Sequence, residues 1–99
     1  MKIDVTDIAR TFGGQTRAYA EYRIFASLAR FSTLVREAAV SLTPAAKGHS
    51  VVCSVLVSLE PGVPVTVSAC GRHAYDAINR VAYRLGRMLR RRTSVARPS

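Results

Sequence analysis

Three stretches in which apolar and small polar residues alternate follow one another over little more than thirty residues, and they constrain this chain more than any other feature. Residues 37–43 (EAAVSLT) set Ala38, Val40 and Leu42 against Ala39, Ser41 and Thr43. Residues 51–59 (VVCSVLVSL) put Val51, Cys53, Val55, Val57 and Leu59 on one side. Residues 63–69 (VPVTVSA) repeat the pattern with Val63, Val65, Val67 and Ala69 inward and Thr66 and Ser68 outward. A period of two over such lengths predicts strands with one dry and one wet face. Pro44 through Ser50 reads as a loop and Pro61-Gly62 as a turn, so the three strands should run as an antiparallel meander.

A fourth alternating segment, residues 2–7 (KIDVTD), opens the chain with Ile3 and Val5 on one face. Residues 8–15 carry a Gly-Gly turn, and Thr16 is placed to cap a following helix. The spacing over residues 17–35 predicts that helix, with Ala18, Tyr22, Phe25 and Leu28 or Ala29 inward, Phe31 and Leu34 extending the apolar surface, and Arg23 and Arg30 on one exposed face. A second helix is predicted over residues 74–92, where Ala74, Ile78, Val81, Leu85 and Met88 or Leu89 recur at four, three, four and three residues. The fold class expected is therefore α+β with order βαβββα. A right-handed βαβ unit leads into the meander, making a four-stranded mixed sheet with two helices packed on one face. Residues 1–92 should form a single domain and residues 93–99 a flexible C-terminal tail.

Charge narrows the partner. Fifteen Lys and Arg oppose six Asp and Glu, a formal net charge of +9, and thirteen of the fifteen are arginine. Such a chain seeks a polyanion. Guanidinium forks match phosphate oxygens and stack on bases, which favours nucleic acid over an anionic membrane or an acidic protein. No apolar run is long enough to span a bilayer, and the segment after Met1-Lys2 lacks the apolar core of a signal peptide, so a cytoplasmic protein is expected. Cys53 and Cys70 are too few for a zinc site. Their odd and even positions on paired strands put them on opposite faces, so no disulfide is expected.

After Asp76 the chain has no acid and seven arginines. Arg80, Arg84, Arg87 and Arg91 recur at four, three and four residues, one stripe along the second helix, and Arg90 and Arg92 thicken its end. A few cations near a helix C-terminus favour the helix dipole. Six arginines in thirteen residues exceed that, because like charges on one face repel. The stripe is read as a phosphate-binding surface, which Arg23, Arg30 and Arg72, with Arg17 and Arg36 nearby, could extend. Tyr19, Tyr22, Tyr75 and Tyr83 read mainly as half-buried core, with base stacking the sharper alternative. His49 and His73 have no partner in a nucleophile or metal set. The six carboxylates are scattered, and no Ser-His-Asp order, phosphate loop or H-E-x-x-H occurs, so neither an enzyme nor a cofactor or metal site is expected.

The stretch Ser68-Ala69-Cys70-Gly71-Arg72-His73-Ala74-Tyr75-Asp76-Ala77-Ile78-Asn79 resembles the "x-A-x-G-x-D-x-Y-x-A-I-D" junction of the ribosome hibernation-promoting factors, also called ribosome-associated inhibitors or sigma-factor modulation proteins. Arg84-Leu85-Gly86-Arg87-Met88-Leu89-Arg90-Arg91 is similar to that family's "K-L-x-R-Q-L-x-K" helix, and Phe25, Leu28 and Phe31 to its "L-x-x-L-x-x-F" run. His73 and Asn79 stand where the family usually has acids. Tyr83 and Gly86 replace acids on the last helix, which makes that helix more basic. The resemblance implies a short-form, monomeric ribosome-binding domain over residues 1–92. It implies binding to small-subunit rRNA near the decoding and tRNA channel, with tRNA and mRNA access blocked when growth slows in a bacterial stress or stationary phase. Arg84, Arg87 and Arg91 fall where the family carries basic residues. The RNA-binding set expected is Arg80, Arg84, Arg87, Arg90, Arg91, Arg92, Arg23, Arg30 and Arg72. A general binder of double-stranded or structured RNA is the alternative reading, and a partner of an acidic protein a third.

Overall fold

In the computed structural model, residues 1–7, 11–45, 50–60 and 62–96 are described. The expected loop residues Lys47 and His49, Pro61 of the expected turn, and residues 97–99 of the expected tail lie outside them. The chain runs β1 (Lys2–Asp7), α1 (Gly13–Leu28), a 3-10 turn (Ala29–Phe31), β2 (Val35–Pro44), β3 (Val51–Leu59), β4 (Val65–Gly71) and α2 (Ala74–Ala96). The strands stand in order β1-β2-β3-β4. β1 pairs with β2 in parallel, and β2–β3 and β3–β4 are antiparallel, so the fold is the βαβββα mixed sheet expected.

Alternation places the core. Ala38, Val40 and Leu42 of β2 and Val51, Cys53, Val55 and Val57 of β3 are buried. They meet Ala20, Ile24 and Leu28 of α1 and Ala74, Ala77, Ile78, Val81, Ala82, Leu85 and Leu89 of α2. Both helices lie on this one face. The opposite face stays wet and carries small polar groups such as the Ser54 and Ser68 hydroxyls, which bond each other at 2.7 Å. Cys53 is buried and Cys70 exposed, on opposite faces as the register argument expects. Burial pushes the Cys53 thiol up to about 12, so it stays protonated at neutral pH.

Several expectations need correcting. The second helix runs on to Ala96, past its expected end at residue 92 and into the expected tail, and the first helix ends at Leu28, with Val35 already in β2. The first helix starts at Gly13, not after Thr16, and it turns a different face inward. Thr16 is a buried member of the row Thr16, Ala20, Ile24 and Leu28 rather than a cap. Tyr22 and Phe25, expected inside, are 68% and 52% exposed. Apolar residues occur on both sides of this helix. The winning side has small residues at 16 and 20, which let the helix approach the sheet more closely than a tyrosine would. Gly13, at φ +82°, opens the helix in a conformation other residues resist. The Asp7 carboxylate takes backbone N–H bonds from Thr11 and Phe12 just before it, at 3.0 and 2.7 Å. Likewise Val63 is 69% exposed rather than inward. Pairing of β4 with β3 begins only at Val65, after Pro64, which has no N–H to offer.

Gly71 explains the strand-to-helix junction. A Cβ there would sit 2.5 Å from the Ala77 backbone nitrogen and 2.8 Å from Asp76 Oδ2. Only glycine lets the first turn of α2 fold back this tightly on the end of β4. The Arg72 N–H then donates to Asp76 Oδ2 at 3.2 Å, and the Ala77 N–H closes on the His73 carbonyl at 3.1 Å.

Candidate nucleic-acid interface

The arginine stripe of α2 divides in two. Arg80 and Arg84 lie against β4, an edge strand. The Arg84 guanidinium donates to the Ser68 carbonyl at 2.6 Å, and that of Arg80 to the Cys70 carbonyl at 3.4 Å. Arg80 also pairs with Asp76 at 3.3 Å. These two side chains cover backbone groups of an edge that would otherwise be open to pairing. Their charge stays at the surface, but part of their hydrogen-bonding capacity is spent within the chain.

On the side turned toward α1 the helix carries a different set of groups. A groove of about 260 Å³ between the helices is lined by Arg23, Arg30, Tyr83, Gly86, Arg87 and Arg90, with Ala26, Ser27, Phe31 and Ala82 completing its walls. The lining contains no carboxylate. Arg30 comes from the 3-10 turn that ends the first helical segment, so the two helices lying side by side bring Arg23 and Arg30 to Arg87 and Arg90. Arg91 and Arg92 are exposed beyond Leu89, the last buried side chain described on α2. At about 1.5 Å per residue α2 is roughly 35 Å long. The seven residues of β4 at about 3.3 Å each make the edge strand beside it shorter than the helix.

The family resemblance marks Asn79 only as a replacement for an acid. In the folded chain its side-chain oxygen accepts both the Tyr19 hydroxyl and the Arg23 Nε–H at 2.8 Å. A neutral amide thus holds Arg23 in place without cancelling its charge, which a carboxylate at this position would do. Tyr19 in turn rests against Tyr75, ring centroids 4.6 Å apart. Tyr83 behaves differently from these two. Its ring is 67% exposed, and the Arg87 guanidinium lies 5.8 Å from its centroid. Neither the Asn79 bridge nor the Tyr83 position could be read from spacing, because both depend on how α1 sits beside α2.

The other basic residues lie elsewhere. Arg72 is exposed at the β4–α2 junction. Arg36 is drawn to Glu60 at 2.7 Å, and Arg17 lines a separate cleft with Asp7, Gly13 and Gly14. Neither joins the groove. Among the described residues there is no group of three or more His, Cys, Asp or Glu side chains able to hold a metal, and no helix long and apolar enough to cross a membrane.

This arrangement has relatives. The fold is similar to that of a ribosomal subunit interface protein from Coxiella burnetii, with a TM-score of 0.78 at 14% identity over 95% of this chain and 99% of that one. It is also similar to the N-terminal domain of Protein Y from Thermus thermophilus, with a TM-score of 0.67 at 27% identity over 91% and 93% of the two chains. Comparison with curated protein sequences gives no match. Residues 3–96, nearly the whole chain, match the family described as sigma 54 modulation protein / S30EA ribosomal protein, and the chain belongs to that family.

Proposed function

We propose that this chain is a cytoplasmic, ribosome-associated translation inhibitor of the hibernation type, not an enzyme. It binds small-subunit rRNA near the decoding and tRNA channel as a monomer and blocks tRNA and mRNA access. The observation that carries this reading is the carboxylate-free groove where Arg23 and Arg30 meet Arg87 and Arg90. Membership of a family of ribosomal and modulation proteins supplies the ribosome as the context. The mechanism is occlusion. Arginines displace counterions from rRNA phosphates, and a preformed domain of 46 × 23 × 19 Å then fills space that tRNA needs. Arg91 and Arg92, exposed beyond Leu89, and Arg72 at the junction extend the contact. Arg80 and Arg84 contribute charge while holding the β4 edge. The expected stress or stationary-phase setting follows from the same reading.

The test is co-sedimentation with ribosomal subunits across a salt series. Arg30→Glu/Arg87→Glu/Arg91→Glu should abolish co-migration with the small subunit. Lys2→Glu/Arg17→Glu/Arg36→Glu changes the net charge equally but leaves the groove intact, and it should still co-migrate. Equal losses in the two triple variants, or a free RNA duplex that displaces the protein from the small subunit, would overturn the reading in favour of a general RNA binder.

A further inference from the structure

We infer that the groove between α1 and α2 is a seat for one unstacked nucleotide of a single-stranded RNA segment, with its base on Tyr83 and its flanking phosphates on the surrounding arginines. The inference rests on the RNA-binding reading above and names the form of RNA that this part of the surface takes.

Phosphate binding alone does not account for the groove. Its arginines would serve a duplex or any other polyanion. Tyr83 would not, since a paired and stacked base offers no free face to an aromatic ring. Yet Tyr83 stands 67% exposed between Arg23, Arg30, Arg87 and Arg90. An aromatic platform interleaved with guanidinium groups is how proteins hold single strands. The ring takes the base, and the cations track the backbone. Arg87, 5.8 Å from the ring centroid, biases the ring toward one orientation through its cation–π contact. Asn79 steadies Arg23 on the opposite wall and leaves its charge available.

The walls fit the same occupant. Ala26, Ala82 and Gly86 are small, and nothing lies within 4 Å of where a Gly86 Cβ would stand. One turn along α2 from Tyr83 there is thus room beside the ring. About 260 Å³ with a partly apolar lining suits a single nucleobase with its sugar, not a helix of paired strands.

The experiment compares binding of a short single-stranded RNA of mixed sequence with that of a blunt RNA duplex of about 16 base pairs, each over a salt series. The proteins are the wild type, Tyr83→Ala, Tyr83→Phe and Gly86→Leu. Gly86→Leu fills the groove from an open helical position, keeps every charge and favours the helix. Tyr83→Ala should lose about 5- to 150-fold in single-strand affinity with an unchanged slope of log affinity against log salt, because every phosphate-binding arginine is kept. Tyr83→Phe should bind as the wild type does, Gly86→Leu should fall with Tyr83→Ala, and duplex binding should barely change in any variant. Wild-type single-strand affinity in Tyr83→Ala, or equal losses on single strand and duplex, would overturn the inference and leave the RNA-binding reading standing. A wild type that binds neither RNA nor ribosomal subunits would overturn both.

Discussion

The two halves of α2 carry the same residue type at the same spacing and use it differently. In the first half, Arg80 and Arg84 are tied to Asp76 and to the carbonyls of Cys70 and Ser68. The junction around Gly71 leaves no space even for a methyl group. In the second half, Gly86, Arg87 and Arg90, with Tyr83 one turn before them, border a groove, and Arg91 and Arg92 are exposed to solvent. A helical stripe read from sequence is therefore not one surface. What each arginine does depends on whether a sheet edge or a second helix lies beside it.

Two glycines separate these surfaces most strongly, Gly71 at the end of β4, where α2 begins, and Gly86 within α2. Gly71→Ala should destabilise the fold by roughly 1–3 kcal/mol, because the new methyl meets backbone that cannot yield. Thermal and urea unfolding measure it, and a wild-type midpoint would mean that the junction is looser than its geometry. Next in size is Arg87→Glu/Arg91→Glu. Removing these two cations from the proposed phosphate-binding surface should weaken RNA binding tenfold or more, lower the salt slope by about 1.4–1.8, and leave the unfolding midpoint almost unmoved. A large loss of stability would instead show that the far half is as structural as the near one. Gly86→Ala reverses the sign seen at Gly71. It should stabilise the chain by about 1 kcal/mol, since the added methyl meets nothing within 4 Å. The smallest effect expected is that of Arg84→Ala, which loses an exposed hydrogen bond to the Ser68 carbonyl and should cost about 0.5–1 kcal/mol. Its RNA affinity should fall less than that of Arg87→Ala in parallel titrations. The reverse order would erase the distinction between the halves.

How much of this was legible depended on whether a segment has one wet side. β2 and β3 do, so alternation alone placed Ala38, Val40, Leu42, Cys53, Val55 and Val57 inside. α2 does too. Its arginines mark the wet side so strongly that Ile78, Val81, Leu85 and Leu89 could only face the sheet. α1 gives no such contrast. Ala18, Tyr22 and Phe25 on one side compete with Thr16, Ala20 and Ile24 on the other, and spacing favours the wrong one, although Leu28, also expected inward, is buried. The candidate site was legible only in part, for the same reason. Arg23, Arg30, Arg87 and Arg90 were chosen by charge, but their convergence depends on the phase of α1. The bridge from Asn79 to Tyr19 and Arg23 spans residues 60 and 56 positions apart, a separation no local pattern encodes.

Local sequence was enough for the order of elements, the faces of β2, β3 and α2, and the strong positive charge. Those properties follow from local periodicity and from charge, which each segment carries wherever it packs. Only the tertiary structure decided which side of α1 is buried, which arginines guard the β4 edge, and which face Tyr83 across a groove. Those outcomes depend on how closely two surfaces can approach. That distance is set by the small side chains at Thr16, Ala20 and Gly71, which have meaning only once a partner surface is present.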